Sequence, residues 1–140
     1  MKGSYVLLIQ LPKEQTITIG SLKALHLPGG YYAYVGSAMS GFKTRISRHL
    51  KRNKRQHWHI DYLLEKVSIT GVILCETEDR TECAIAQALS HHFNCIPGFG
   101  SSDCRCHSHL FFATDEKQLK LTIITVLNSL DIQPRLAKHT

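Results

Sequence analysis

A run of basic side chains follows directly after an aromatic segment of the sequence. From Lys43 to Arg55 there are seven lysines and arginines and no acidic residue. A helix is predicted to begin near Phe42 with Ser40 as its N-cap, and the basic side chains on it have no acidic partner one turn away. This arrangement favours phosphate contacts over a solvated surface helix. The residues predicted to contact nucleic acid are Arg48, Lys51, Arg52, Lys54, Arg55 and His57.

Helical periodicity separates two sides of this segment. Phe42, Ile46 and Leu50 recur every four residues and are predicted to pack against a sheet. At about 3.6 residues per turn, Arg45 and His49 lie on one flank of that apolar stripe. Arg52 lies beside Arg45, and we therefore expect Arg45, His49 and Arg52 to point together into a groove at the edge of the sheet.

A carboxylate interrupts a second apolar stripe, on a helix predicted over residues 80–93. Ile85, Ala86 and Leu89 lie on one side of that helix, and Glu82 falls in the middle of the same side. An inward carboxylate costs free energy unless it is paired, hydrogen-bonded or bound to a cation. The alternatives for Glu82 are a frayed first turn, an ion pair with an arginine, and a metal ligand.

Two tyrosines lie on predicted strands, Tyr5 within residues 4–11 and Tyr34 within residues 31–35. Strand tyrosines commonly serve as aromatic core residues. A chemical role would require a phenol to lose its proton, and the ordinary tyrosine pKa near 10 is high for a base at neutral pH. A neighbouring positive charge would lower that pKa.

Two histidines and an aspartate surround Trp58 at the predicted start of a second helix, over residues 57–66. These are His57, His59 and Asp61. One interpretation is a helix N-terminus with the tryptophan in the core and the histidines on the surface. The other is a supporting role beside the phosphate groove.

A short segment near the C-terminal third combines thiols and imidazoles, which are zinc ligands. Structural zinc sites usually use two well-separated pairs of ligands, whereas this segment crowds its candidates into one run. The candidates are Cys104, Cys106, His107 and His109, with a second half to come from Cys83, Cys95 or the pair His91 and His92. The spacing therefore favours a loop with buried thiols over a zinc site. A third possibility is that Asp103 or His109 lines the groove.

Composition bounds the class of protein. With 140 residues, 43% of them hydrophobic, the chain can bury a core, and we expect a single domain over residues 1–140. A net charge of +6 that is concentrated in one run favours a polyanionic partner. The sequence has neither an apolar run long enough to span a membrane nor a signal-peptide pattern. Five cysteines, an odd number, indicate reduced thiols, so a cytoplasmic protein without a membrane partner is predicted.

The remaining segments indicate the fold class. Strands are predicted at residues 4–11, 16–19, 31–35, 69–75 and 109–113. A last helix is predicted from its cap at Asp115 to about Leu130, residues 21–28 are ambiguous, and the final ten residues are expected to fray. Three strands precede the first helix, which predicts an α+β protein with a small, mainly antiparallel β-sheet flanked by helices.

The motifs together resemble the signature of the GIY-YIG nuclease superfamily. Tyr34–Ala38, which reads Tyr-Val-Gly-Ser-Ala, resembles the second half of the signature, and Gly3–Tyr5 resembles the first half. Thr44–Leu50 resembles the Arg-x-x-x-His helix of the family, and Glu82 stands where the family has a glutamate on a downstream helix. The two tyrosine motifs are further apart than is usual, a spacing shared by a small stand-alone branch of the superfamily.

The resemblance implies a metal-dependent nuclease that hydrolyses nucleic-acid phosphodiester bonds, with DNA favoured over RNA. The residues to which it gives catalytic roles are Tyr5, Tyr34, Arg45, His49 and Glu82. It implies that Glu82 binds one Mg²⁺ or Mn²⁺ ion, which suits a single hard carboxylate with several waters, and it leaves open which tyrosine is the general base. The alternatives are a non-catalytic nucleic-acid-binding module on the same fold and a small metal-stabilised protein built on the Cys/His run.

Overall fold

The computed structural model describes residues 1–20, 24–51, 58–101 and 106–137. Within these residues the strands are β1 (Gly3–Leu11), β2 (Gln15–Thr18), β3 (Ala24–Leu27), β4 (Gly30–Ala38), β5 (Ser68–Glu76), β6 (Asn94–Cys95), β7 (Leu110–Ala113) and β8 (Pro134–Ala137). The helices are α1 (Phe42–Leu50), α2 (His59–Leu64), α3 (Glu82–Leu89) and α4 (Glu116–Ser129). None of the helices in the described ranges has the length and apolar content that a membrane span requires.

Six strands form one sheet in the order β6-β7-β4-β1-β5-β8, while β2 and β3 pair separately. Every pairing among the described strands is antiparallel. In the register of β1 with β4, Tyr5 lies opposite Gly36 and Leu7 lies opposite Tyr34. The predicted fold class, an α+β protein with an antiparallel sheet flanked by helices, is confirmed.

The sheet carries a hydrophobic core on each face. Tyr5 and Leu7 of β1 belong to the core that also contains residues of α1, α2, β2 and β3. Val6 and Leu8 point the other way, into the core formed with α3 and α4. Because β1 is hydrogen-bonded on both sides and covered on both faces, its near-continuous apolar sequence is buried at every position except Gln10, as the sequence predicts for a central strand.

The start of α1 differs from the prediction. The N-cap is Gly41 instead of Ser40, and no side chain caps the helix. Gly41 has φ 128°, a left-handed value that glycine adopts without steric cost. The chain therefore enters the helix through a backbone conformation that a serine at the N-cap would adopt only with strain.

The buried face of α1 is also rotated from the predicted stripe. Leu50 is 41% exposed, whereas His49 is only 3% exposed. A repeat of four residues drifts around a helix of 3.6 residues per turn, so the third apolar residue leaves the face. Phe42, Ile46 and His49, at positions i, i+4 and i+7, form the inner stripe instead.

The C-terminal segment is ordered where fraying is predicted. Residues Pro134–Ala137 form β8 and pair with β5 at the edge of the sheet, while residues 138–140 lie outside the described residues. An edge strand tolerates a proline because one of its backbone sides does not donate to a neighbour. The ambiguous stretch also contains a strand, β3, which pairs with β2.

Helix α4 begins where the sequence predicts. The Asp115 side chain accepts hydrogen bonds from the backbone amides of Lys117 and Gln118 at 2.9 and 3.3 Å. This satisfies two of the amides that have no partner within the helix. Helices α2 and α3 are shorter than the predicted 57–66 and 80–93.

Candidate active site

A cleft of about 480 Å³ opens at the end of the two central strands. It is lined by Tyr5, Tyr34, Ser37, Met39, Ser40, Arg45, Trp58, Arg80, Glu82 and Gly100. Four of the five residues predicted to be catalytic therefore share one cavity. The fifth, His49, is buried directly behind Tyr5.

Glu82 reaches this cleft although its helix packs on the opposite face of the sheet. The apolar residues of α3 belong to the core formed with Val6 and Leu8, whereas Tyr5 and Tyr34 belong to the other core. Glu82 is the first residue of α3, and its side chain is 23% exposed. The carboxylate thus lies at the end of the strands and not in the middle of the apolar stripe that the helical wheel predicts.

Tyr5 and His49 form a buried hydrogen-bonded pair. The Tyr5 hydroxyl lies 2.5 Å from His49 Nε2, and the two ring centroids are 5.3 Å apart. The His49 ring also contacts Tyr34 edge-on, with centroids 6.4 Å apart. His49 therefore packs against the tyrosines from behind. It was predicted to face the cleft beside Arg45, but it does not line the cleft.

Gly36 makes room for the Tyr5 ring. A Cβ atom at this position would lie 2.3 Å from both Cζ and Oη of Tyr5. Gly36 lies directly opposite Tyr5 in the strand register, so the two residues share one face of the sheet. The glycine of the Tyr-Val-Gly motif is thus needed for the phenol to lie flat against β4.

The pKa values of both cleft tyrosines are raised above the ordinary value. For Tyr5 the largest cause is burial, and the positive charge of Arg45, which also donates a hydrogen bond to the phenol, acts in the opposite direction. For Tyr34 burial again dominates, and the negative charge of Glu82 adds to it. Arg45 therefore lowers the tyrosine pKa values, as predicted for a neighbouring positive charge, but burial raises them by more. Both phenols are protonated at neutral pH.

Trp58 brings two arginines of α1 to the mouth of the cleft. The guanidinium carbons of Arg45 and Arg48 each lie 4.3 Å from the centroid of the indole ring. Arg48 also donates to both carboxylate oxygens of Asp61, at 2.7 and 2.9 Å. Asp61 is fully buried and in addition accepts from the backbone amide of Trp58 at 2.9 Å. Asp61 thus neutralises the charge of Arg48. The spacing of residues within α1 cannot reveal this partner, because Asp61 lies on α2.

His59 connects α2 to the far wall of the cleft. Its Nδ1 accepts a hydrogen bond from the backbone amide of Gly100 at 3.0 Å. Gly100 has φ 71°, and a Cβ atom there would lie 3.0 Å from Cε1 of Tyr34. Burial lowers the pKa of His59, so the ring is neutral at pH 7 and Nδ1 is able to accept. Of the two interpretations of this histidine, a supporting role agrees with its position.

The other predicted nucleic-acid contacts are only partly described. Arg52, Lys54, Arg55 and His57 lie outside the described residues. Lys51 is exposed and lines a second groove, of about 590 Å³, behind α1. The described lining of that groove includes His49, Glu65 and Lys66 but no tyrosine, so its chemistry differs from that of the cleft.

A charged residue of the cleft was missed by sequence reasoning. Arg80 is exposed and lines the cleft two residues before Glu82. Its position just after an acidic run makes it look like part of a solvated loop. The available signal was its short distance in sequence from Glu82, which places it near that carboxylate.

Two groups of donors could hold metal ions. The carboxylate of Glu82 faces the cleft, where a hard cation with several water ligands fits a single carboxylate. Beside it, ligand atoms of Cys83, Cys106 and His109 all lie within 4.8 Å of one another. The Nδ1 atom of His109 is 3.9 Å from a Glu82 oxygen, so the two groups are neighbours. Asp103 and Cys104 lie outside the described residues, and His107 is exposed.

The fold and the cleft define a small α+β protein with tyrosines, an arginine and a glutamate at the end of an antiparallel sheet. The chain belongs to the family described as domain of unknown function DUF123, whose model matches residues 4–132. Comparisons with curated proteins and with solved structures gave no match.

Proposed function

We propose that the protein is a metal-dependent nuclease that hydrolyses phosphodiester bonds of nucleic acid, with DNA favoured over RNA. The observation that carries this proposal is the convergence of Tyr5, Tyr34, Arg45 and Glu82 on one cleft. The resemblance of these positions to the GIY-YIG signature supports it. The net charge of +6 suits a polyanionic substrate.

Tyr5 is the general base in this proposal, because only Tyr5 is hydrogen-bonded to an imidazole among the described contacts of the two tyrosines. An attacking water gives a proton to the Tyr5 oxygen while the phenol proton passes to Nε2 of His49. The water oxygen forms a bond to phosphorus, and the bond from phosphorus to the leaving oxygen breaks while that oxygen takes a proton from solvent water. The pair thereby avoids a free phenolate, which the buried site disfavours.

Arg45 stabilises the negative charge that develops on the phosphate oxygens. Its guanidinium is held by Trp58 and donates to Tyr5, so its position is fixed before substrate binds. Glu82 would hold the Mg²⁺ or Mn²⁺ ion, which supplies Lewis-acid stabilisation of the phosphate when bound. Tyr34, whose ring packs against Gly100, forms part of the wall of the cleft and positions the water.

The raised pKa values of both phenols are the observation that favours the alternative function. A binding module needs only the positive charges at the cleft mouth, and protonated tyrosines would donate hydrogen bonds to phosphate oxygens. The alternative predicts binding without cleavage. The experiment below separates the two.

The test compares cleavage and binding for Glu82→Gln, with Glu76→Gln as the control at an exposed position outside the cleft. Cleavage of plasmid, single-stranded and branched DNA and of RNA is followed on gels with Mn²⁺, and binding is followed without metal. We expect Glu82→Gln to abolish cleavage and to keep or strengthen binding, because one repulsive charge is removed. Glu76→Gln should behave as wild type.

Two further variants test the proposed roles of the Arg45 and Tyr5 side chains. Arg45→Ala should reduce cleavage by about two to three orders of magnitude, as does loss of a preorganised donor, and weaken binding only slightly. Tyr5→Phe should abolish cleavage while Tyr31→Phe, on the same sheet but outside the cleft, should not. If the wild type cleaves and Glu82→Gln cleaves equally well, the metal assignment is wrong. If none of these substrates is cut although all are bound, the binding module is the better account.

A further inference from the structure

We propose that Cys83, Cys106 and His109 form a zinc site directly behind the cleft, distinct from the hard-cation position at Glu82. The sequence spacing argues against zinc in the Cys/His run by itself. The fold changes that conclusion, because it brings Cys83 from another element to two members of the run. The site therefore consists of two halves that are far apart in sequence.

The distances are close to those of a tetrahedral zinc site. Zinc binds thiolate sulfur at about 2.3 Å and imidazole nitrogen at about 2.0–2.1 Å, so its ligand atoms lie roughly 3.5–3.8 Å apart. The three donor atoms here all lie within 4.8 Å of one another before any metal is added. Small side-chain rotations close the remaining distance.

The donor types select the metal. Two thiolates and one imidazole are soft or borderline ligands, which favour Zn²⁺ over Mg²⁺, Ca²⁺ or Mn²⁺. The three residues are half-buried or buried, so a bound ion would be shielded from bulk water. They supply three of the four positions of a tetrahedral zinc, and Cys106 and His109 have the two-residue separation typical of a zinc ligand pair.

The surroundings of His109 match those of a metal-bound histidine. Such a ring usually donates its second N–H to a carboxylate or a backbone carbonyl, which fixes the tautomer. The His109 ring has groups of both kinds nearby. A Glu82 carboxylate oxygen lies 3.9 Å from Nδ1, and the ring forms a hydrogen bond with the backbone of Val35. The ring is only 3% exposed, so its orientation is already fixed.

The site would position the cleft without touching substrate. Cys83 follows Glu82 in the first turn of α3, and His109 contacts the loop that carries Gly100. A bound zinc would tie the start of α3 to the segment before β7. The carboxylate of Glu82 and the wall beside Tyr34 are then held by one coordination centre.

The test measures metal in the purified full-length chain from zinc-supplemented cells. We expect stoichiometric zinc by mass spectrometry. Replacement by Co²⁺ should give the visible bands of tetrahedral cobalt and a near-ultraviolet thiolate charge-transfer band. Cys83→Ser and Cys106→Ser should each lose most of the zinc and weaken the thiolate band, whereas Cys95→Ser should keep both. Cys95 is the matched control because it is half-buried nearby but outside the group.

A second measurement does not depend on how the variants fold. Chelation of zinc from the wild type should lower Tm by about 10 °C, as removal of a tight ligand does, and zinc but not Mg²⁺ should restore it. Arg45→Ala, a change in the cleft and outside the group, should retain its zinc, which separates this site from the proposed nuclease chemistry. The proposal is overturned if the wild type contains no zinc and gives no thiolate band, if peptide mapping shows Cys83 and Cys106 joined in a disulfide, or if both serine variants keep full zinc.

Discussion

Gly36→Ala tests the contact that sets the position of Tyr5. The added methyl carbon would lie 2.3 Å from Cζ and Oη of the phenol, whereas carbon atoms pack at about 3.5–4.0 Å. The Tyr5 ring must therefore move by more than about 1 Å. It is 1% exposed and hydrogen-bonded to His49, so it has no free space to enter.

The expected cost follows from overpacking of a well-packed core, which is about 1–3 kcal/mol. For a chain of this size that lowers Tm by roughly 4–12 °C. A displacement of about 1 Å at a catalytic group typically costs on the order of 100-fold in rate. Thermal and urea unfolding measure the first effect, and the nuclease assay of the proposed function measures the second.

Gly71→Ala is the matched control, since it adds the same methyl group to a strand beside β1. Its nearest contact is Cδ1 of Leu8 at 3.1 Å, the end of a flexible side chain, and the next contact is at 3.7 Å. The stability of this variant should stay within about 1 kcal/mol of wild type. Equal unfolding curves for the two alanine variants, with an unchanged tyrosine signal in near-ultraviolet circular dichroism, would refute the reasoning about Gly36.

Three other changes test separate parts of the site. Asp61→Asn should cost about 3 kcal/mol in urea unfolding, near the low end for a broken buried ion pair, because Arg48 is 26% exposed and regains some water; no loss would show that the pair is not stabilising. Arg80→Ala should weaken nucleic-acid binding equally for all sequences and lower the salt slope by about one, and an unchanged slope would place Arg80 outside the interface. Because burial lowers the pKa of His59, its contribution to stability is complete above the ordinary histidine pKa and is lost as pH falls through the lower folded value. Wild type should thus lose more stability than His59→Gln between pH 7.5 and 5, and parallel curves would contradict the lowered pKa of His59.

The fold class and the central strand could be predicted because both depend on local patterns. Alternating and continuous apolar runs reveal strands, and Asp115 reveals the start of α4 through its own chemistry. The β8 strand could not be predicted in this way. Its few residues gain order only by pairing with β5, and that partner is more than fifty residues away in sequence.

Four members of the cleft, Tyr5, Tyr34, Arg45 and Glu82, could be predicted, but their environments could not. The wheel places His49 on the flank of α1, because four-residue spacing hides the drift that exposes Leu50. It also places Glu82 in a core, because it cannot show that α3 begins beyond the end of the sheet. Likewise, the pKa of Tyr5 depends on the balance of burial and the charge of Arg45, which spacing in sequence does not reveal.

The position of β1 between β4 and β5 affects how readily the two sides of the cleft undergo local unfolding. Amide protons of a doubly paired, doubly covered strand exchange with solvent mainly through global unfolding. Helix α1, with nine residues, is too short to be stable apart from its packing. We therefore expect the segment that carries Arg45 to exchange through smaller openings that leave Tyr5 in place. Under the proposed function, bound nucleic acid should then slow hydrogen exchange in α1 far more than in β1, because the β1 part of the site is already ordered before substrate binds.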